Sequence, residues 1–118
     1  MSLIVYGIPT CSTVTTARRW LTAHGFEHEF VDFRAHPPDR AAVASWVRQF
    51  GAQAMKNTSG GAYRELGAEK DRWTEEQWTE AFFANPMLIR RPLVTRDGAP
   101  ILVGWKYGEA DLMVLLAR

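Results

Sequence analysis

The order of apolar and polar positions predicts a β-α-β unit at the start of the chain. Residues 3–7, LIVYG, form a short apolar run that ends in glycine, which is typical of a buried strand. From Cys11 to about His24 the apolar positions recur at helical spacing, and residues 28–33, HEFVDF, alternate as a half-buried strand does. The inward stripe of the helix comprises Val14, Ala17 and Leu21. A strand, a helix and a parallel strand form a right-handed unit in nearly all proteins.

Helical patterns fill the middle of the chain. Asp39 follows two prolines and is suited to cap a helix that ends near residue 50. Residues 51–73 have weaker periodicity, and we expect them to be irregular or weakly helical. Thr74 and Gln77 have the spacing of a capping box, which predicts a helix that ends near residue 84. The segment from about 38 to 86 is therefore predicted to be a helical insertion.

The last third of the chain predicts a hairpin and a closing helix. Residues 93–95 and 101–103 are apolar runs on either side of a turn at Arg96-Asp97-Gly98, and the segment 109–117 has a helical pattern. The whole order predicts an α/β fold with a thioredoxin-like β-α-β … β-β-α mixed four-stranded sheet and a helical insertion. We expect a single domain over residues 1–118. Pro92 opens the third strand, where that fold often carries a cis-proline.

Composition and charge exclude several classes of function. The chain of 118 residues is 47% apolar and 23% charged, as in ordinary globular domains, and its net charge of +1 gives no drive toward nucleic acid. No apolar run approaches the roughly 18 residues of a membrane helix, and no signal-peptide pattern opens the chain. The three histidines, His24, His28 and His36, do not lie in one predicted helix and have no cysteine partners, so no metal site is predicted. We therefore expect neither direct nucleic-acid binding nor membrane binding.

The only cysteine is the main candidate for chemistry. Cys11 follows a strand and a short loop and opens a helix, whose first N–H groups have no partner within the helix and carry partial positive charge. A thiolate is favoured at such a place, and the hydroxyls of Thr10, Ser12 and Thr13 lie close by in sequence. A buried, inert Cys11 is the alternative interpretation. One cysteine forms no internal disulfide, so we expect a cytoplasmic protein whose redox cycle uses a thiol from elsewhere.

Several segments resemble the ArsC/Spx superfamily, and most of all its YffB-like, arsenate reductase-related members. These segments are YGIPTCSTVTTARRWL, AYRELG, NPMLIRRPLV and ILVG. The most specific signal is G-x-P-x-C near the start combined with an Arg-Pro dipeptide at 91–92, and the similarity covers nearly the whole chain. The resemblance implies a thioredoxin-like fold, Cys11 as the nucleophile, and Arg91 beside it as an anion-binding group.

The chain departs from the family pattern in two ways. Arsenate reductases of this family use three arginines around the cysteine, whereas here only Arg91 matches, with Asn57 at the first position and the third falling near Gly104. An oxyanion needs several cationic or N–H donors, so we expect arsenate reduction to be slow or absent. The C-x-x-C pair of many Spx regulators is also missing, because position 14 is Val.

The YffB-like resemblance suggests a monothiol, glutathione-dependent thiol oxidoreductase. We expect no bound cofactor, with glutathione or another small thiol as co-substrate and glutaredoxin as a further candidate partner. Alternatives are an Spx-like regulator that binds the α subunit of RNA polymerase and a weak true arsenate reductase. Residues predicted to bind the anion or thiol substrate are Arg91, Arg64, Thr10, Ser12, Thr13, Asn57, Ser59 and Pro92.

Overall fold

The element order predicted from the sequence is the order found. In the computed structural model, which describes residues 2–117, four strands form one sheet in the order β2-β1-β3-β4. β1 pairs parallel with β2 and antiparallel with β3, and β3 pairs antiparallel with β4. The prediction of a mixed four-stranded α/β sheet is therefore confirmed. The strands are β1 (Leu3–Gly7), β2 (Glu29–Asp32), β3 (Leu93–Arg96) and β4 (Ala99–Val103).

The helices belong to two compact units. The chain up to Asp32, together with the chain from Arg91 onward, forms the first unit, and Phe33–Arg90 forms the second. None of the helices described between residues 2 and 117 is long and apolar enough to cross a bilayer. The helices are α1 (Ser12–Ala23), α2 (Arg40–Phe50), α3 (Ala52–Met55), α4 (Gly61–Arg64), α5 (Glu75–Ala84) and α6 (Glu109–Ala117), with 3-10 turns at Ala68–Arg72 and Pro86–Leu88.

The helix boundaries follow the capping residues named from the sequence. Asp39 is the N-cap of α2, where its Oδ1 accepts a hydrogen bond from the Ala42 N–H at 2.8 Å. Both halves of the α5 capping box form: the Gln77 N–H donates to Thr74 Oγ1 at 3.1 Å, and the Thr74 N–H donates to Gln77 Oε1 at 2.8 Å. The segment 51–73 holds only the short α3 and α4 and one 3-10 turn, as its weak periodicity predicts.

The core of the first unit lies between one face of the sheet and helices α1 and α6. Gly7 is part of this packing, because a Cβ atom there would lie 2.7 Å from Cγ2 of Val14. The Val14 side chain, in the first turn of α1, therefore packs directly against the backbone of Gly7, the last residue of β1. This close contact holds the start of α1 against the sheet. The buried members of this core are Leu3, Val5, Val14, Leu21, Val94, Leu102, Leu112 and Leu116.

Aromatic and aliphatic side chains fill the core of the second unit. Trp78 contacts the rings of Trp73 and Phe82 at centroid distances of 4.9 and 5.5 Å. On the inward face of α2, Val43, Trp46 and Val47 are buried but Phe50 is only half-buried. Phe50 is the last residue of its helix, where the chain turns at Gly51 and covers it less.

Candidate functional site

Cys11 is the N-cap of α1, and the loop after β1 brings it there. Its backbone is extended, with φ −82° and ψ 119°, and its N–H donates to the Ile8 carbonyl at 3.2 Å. The Cys11 carbonyl accepts from the Thr15 N–H at 3.1 Å and from Thr15 Oγ1 at 3.3 Å. Three hydrogen bonds of its main chain thus hold the residue, while its side chain makes no capping hydrogen bond and is half-exposed.

The start of α1 is electrostatically suited to an anion. The first turn of the helix contains no acidic residue, and the cap side chain is a thiol that makes no hydrogen bond to the turn. The unpartnered N–H groups of such a turn carry the positive end of the helix dipole. Negative charge on the sulfur, or on a group beside it, is therefore stabilised here.

The register of the sheet brings Arg91 and Pro92 to the same end as Cys11. Tyr6, near the end of β1, pairs with Leu93, the first residue of β3. Pro92 and Arg91 precede Leu93, so they lie at the end of the sheet where β1 ends and the loop to Cys11 begins. The Arg91-Pro92 peptide bond is cis, as the fold predicts for this position. Pro92 is buried, and Arg91 is half-buried with its Nε shielded from solvent.

Gly104 and the residues after it complete this end of the sheet. The Gly104 N–H donates to the Pro92 carbonyl at 2.7 Å, and Gly104 has φ +78°, a left-handed conformation that strains any residue with a side chain. The Trp105 ring contacts the Trp20 ring of α1 edge-on at 5.9 Å. Tyr107 Oη donates to the Val103 carbonyl at 3.2 Å, so this tyrosine closes off the end of β4.

The hydroxyl residues predicted to flank the thiol lie at the surface. Thr10, Ser12 and Thr13 are all exposed and within two positions of Cys11. Together with Arg91 and Pro92 they make up the part of the predicted site that belongs to the first unit. Each of these polar side chains is accessible to a ligand that approaches the start of α1.

Asn57, Ser59 and Arg64 belong to the second unit, where they are joined in one small network. Ser59 Oγ donates to Asn57 Oδ1 at 3.1 Å, and Arg64 Nη1 donates to the Ser59 carbonyl at 3.0 Å. The Asn57 N–H donates to the Leu88 carbonyl at 2.8 Å. Arg64 thus spans the loop that precedes its own helix, a structural use of the side chain that its position in the sequence did not predict.

A histidine with no role in the predicted site links α1 to α6. His24 Nδ1 lies 2.9 Å from the Trp20 carbonyl and Nε2 lies 2.9 Å from Glu109 Oε1, while its ring stacks on Trp20 at 3.9 Å. Both ring nitrogens face acceptors, which suits the doubly protonated ring. The Trp20 carbonyl first, and then the Glu109 carboxylate, raise the pKa of His24 against the opposing effect of burial.

Within residues 2–117 no group of three or more His, Cys, Asp or Glu side chains is arranged to hold a metal ion. The polar groups at the end of the sheet are a thiol, hydroxyls, backbone N–H groups and a guanidinium. Such a set suits nucleophilic chemistry of sulfur beside an anion-binding group.

Comparison with known proteins agrees with this architecture. The sequence profile of the ArsC family matches residues 6–111. The chain belongs to the ArsC family. Protein YusI of Bacillus subtilis is 36% identical over 115 residues, which span 94% of this chain and 97% of YusI.

Two further proteins are similar to this chain in structure or in sequence. The solved structure of a YffB protein superposes with a TM-score of 0.84 at 32% identity and covers 98% of this chain and 99% of its own. An arsenate reductase of Acidiphilium multivorum is 26% identical, over 79% of this chain and 67% of the reductase. The predicted ArsC-like, thioredoxin-type fold is thus confirmed, and the family is one related to thiol oxidoreductases.

Proposed function

We propose that this chain is a monothiol oxidoreductase that uses glutathione as its co-substrate and Cys11 as its nucleophile. The observation that carries the proposal is the half-exposed thiol of Cys11 at the uncapped start of α1, at the end of the sheet that also holds Arg91. A chain with one cysteine must obtain its second sulfur from outside. Glutathione is the small thiol that supplies it, and a cytoplasmic setting keeps Cys11 reduced between cycles.

The proposed cycle has two thiol–disulfide exchanges. The Cys11 thiolate attacks the glutathionyl sulfur of a mixed disulfide, the S–S bond breaks, and the other half leaves as a thiolate. A second glutathione thiolate then attacks the glutathionyl sulfur on Cys11, which releases glutathione disulfide and restores the Cys11 thiolate. In sum, one mixed disulfide and one glutathione thiol give one free thiol and one glutathione disulfide. Glutaredoxin is a candidate for the second step in place of free glutathione.

Arg91 and the hydroxyl residues would hold the anionic parts of glutathione. Glutathione carries two carboxylates, and a guanidinium is well suited to bind one of them. Arg91 precedes β3 at the same end of the sheet as Cys11, and Thr10, Ser12 and Thr13 are exposed beside the thiol in sequence. Arg64, Asn57 and Ser59 form a polar group within the other unit, and their part in substrate binding stays a prediction.

Arsenate is a poorer substrate for this set of residues. A three-arginine site is absent, since Asn57 and Gly104 stand at the other two positions. The positive φ of Gly104 is a conformation that an arginine there would resist. We therefore propose thiol exchange rather than arsenate reduction as the activity, although the relatives include proteins named arsenate reductase.

The direct test is intact mass spectrometry after incubation with oxidised glutathione. We expect one glutathionyl adduct on the protein, its removal by reduced glutathione, and no adduct on Cys11→Ser. Circular dichroism of Cys11→Ser serves as the control for folding. A protein that stays unmodified, or a Cys11→Ser variant modified to the same extent, would contradict the proposal.

The regulatory alternative stays a prediction with its own measurement. A pull-down with the C-terminal domain of the RNA polymerase α subunit distinguishes it from the enzyme, because a regulator must bind that domain stably. The absence of C-x-x-C leaves such a regulator without the usual intramolecular switch.

A further inference from the structure

A groove runs along one side of α1 and ends close to Cys11. Its volume is about 500 Å³. Two adjacent ridges of α1, with residues four apart, form one wall, and Phe30 of the edge strand β2 forms the other. Pro9, two positions before Cys11, lies at one end. We call this feature the α1–β2 groove.

The surface of the α1–β2 groove is apolar with positive charge at its side. Pro9 and Phe30 supply apolar surface, and Arg18 and Arg19 are the charged residues of the lining, which contains no carboxylate. Small-molecule sites are typically about 300–1,000 Å³ and combine an apolar lining with a few polar groups that orient the ligand. The groove therefore suits a ligand with an apolar body and one negative group.

Arg18 is held in place before any ligand arrives. His28 Nδ1 lies 3.1 Å from the Phe26 carbonyl, which assigns the proton to Nδ1, so Nε2 accepts a hydrogen bond from Arg18 Nε at 3.1 Å. The Arg18 guanidinium lies 4.7 Å from the centroid of the Phe30 ring. In the part of the chain that the structure describes, no carboxylate lies within ion-pair distance of Arg18 or Arg19. The Nη groups of Arg18 are thus oriented without an acidic partner.

The dimensions relate this charge to the thiol. Arg18 follows Cys11 by seven positions, which is about 10 Å along a helix axis at 1.5 Å per residue. The Arg18 side chain is held over Phe30 by its hydrogen bond to His28, on the β2 side of the groove. A thiol that binds Arg18 through a carboxylate and extends along the groove toward Pro9 has its sulfur directed toward Cys11.

We propose that the α1–β2 groove binds the leaving half of the disulfide that Cys11 attacks, and that this half is an aromatic or alkyl thiol that carries a carboxylate. This assignment rests on the proposed thiol exchange at Cys11. The glutathionyl half stays on Cys11, the S–S bond breaks, and its electron pair leaves with the groove-bound sulfur as a thiolate. Arg18 binds the carboxylate, while Pro9 and Phe30 contact the apolar body.

The first experiment compares two aromatic disulfides of similar size. Dithiobis(nitrobenzoate) has a carboxylate on each half, and dithiodipyridine has none; both release a coloured thiol. We expect Arg18→Gln, which keeps the side-chain stem over Phe30, to lower the rate with the carboxylate reagent by about tenfold. The rate with dithiodipyridine should change by less than about twofold. Arg48→Gln, an exposed arginine in the last turn of α2, is the matched control and should alter neither rate.

The outcomes separate the two proposals. If Cys11 of the unaltered protein reacts with neither reagent, the proposed function fails. If it reacts with both but Arg18→Gln lowers the two rates alike or not at all, the thiol exchange stands and the groove assignment is overturned.

A second experiment does not depend on the thiol. Nitrobenzoate is added to Cys11→Ser, and amide chemical shifts are followed by NMR. Shifts at Val14, Thr22 and Phe30 that disappear in the double variant with Arg18→Gln support the groove. Shifts confined to other residues, or none at millimolar probe, overturn it.

Discussion

The helices α1 and α5 begin in opposite ways. At α5, Thr74 and Gln77 satisfy each other's backbone N–H groups, and two glutamates occupy the first turn. At α1, the cap residue is Cys11, which makes no side-chain hydrogen bond, and the first turn has no acidic residue. A missing cap costs about 0.5–2 kcal/mol of stability. The difference indicates that the cap of α5 serves stability alone. The first-turn N–H groups of α1, in contrast, remain available to a ligand or to the sulfur itself.

A capping side chain at the start of α1 should remove this difference between the two helices. Cys11→Asp supplies a carboxylate to the first-turn N–H groups, so we expect total loss of thiol reactivity together with a gain of about 1 kcal/mol in the free energy of unfolding. Iodoacetamide labelling and urea denaturation measure the two effects. Cys11→Ala is the control, because it removes the thiol without adding a cap and should not gain stability. A Cys11→Asp variant less stable than Cys11→Ala would show that the start of α1 does not accept an anion.

Two adjacent arginines, Arg90 and Arg91, allow the positive charge that acts on the thiol to be tested. Both Arg90 and Arg91 are half-buried, but only Arg91 belongs to the unit that contains Cys11. We expect Arg91→Ala to lower the ratio of iodoacetate to iodoacetamide alkylation rates by about tenfold, which corresponds to about 1.4 kcal/mol. Arg90→Ala should leave the ratio near that of the unaltered protein. Equal ratios for the two variants would remove Arg91 from the site.

The capped helix provides the reverse test. Thr74→Ala removes one half of the α5 capping box, so the free energy of unfolding should fall by about 1 kcal/mol. Alkylation of Cys11 should not change, because the loss lies in the other unit. Urea denaturation measures the free energy of unfolding, and the alkylation rate at one pH measures the reactivity of Cys11. A slower labelling rate in this variant would mean that the two helix starts are not independent.

The smallest effect concerns the far end of α1. Because the Trp20 carbonyl and the Glu109 carboxylate raise the pKa of His24, the contact stabilises the fold fully below the unfolded value of about 6.5 and loses this contribution as pH rises through the higher folded pKa. The melting temperature of Glu109→Gln should therefore lie below that of the unaltered protein at pH 6. The two should converge by pH 8.5. A difference that is independent of pH would assign the loss to packing instead.

Element types and caps were accessible from the sequence because they depend on local patterns. The Thr74-Gln77 spacing and the placement of Asp39 before α2 each specified a helix start correctly. Arg18, in contrast, looks like any solvated arginine of a helix face. Its hydrogen bond to His28 and its position over Phe30 exist only because β2 returns beside α1. Thr15 was similarly missed, although its spacing of four from Cys11 is the kind of signal that predicts a hydroxyl bonded to a helix carbonyl.

The backbone of Gly104 also bears on how this family diversifies. An arginine introduced at Gly104, near the position that the family resemblance assigns to a third arginine, would stand where φ is +78°. Such a residue carries a penalty of about 1–2 kcal/mol until the turn itself is rebuilt. Although one nucleotide substitution converts a glycine codon to an arginine codon, we expect Gly104→Arg to lose stability before it adds a useful cation.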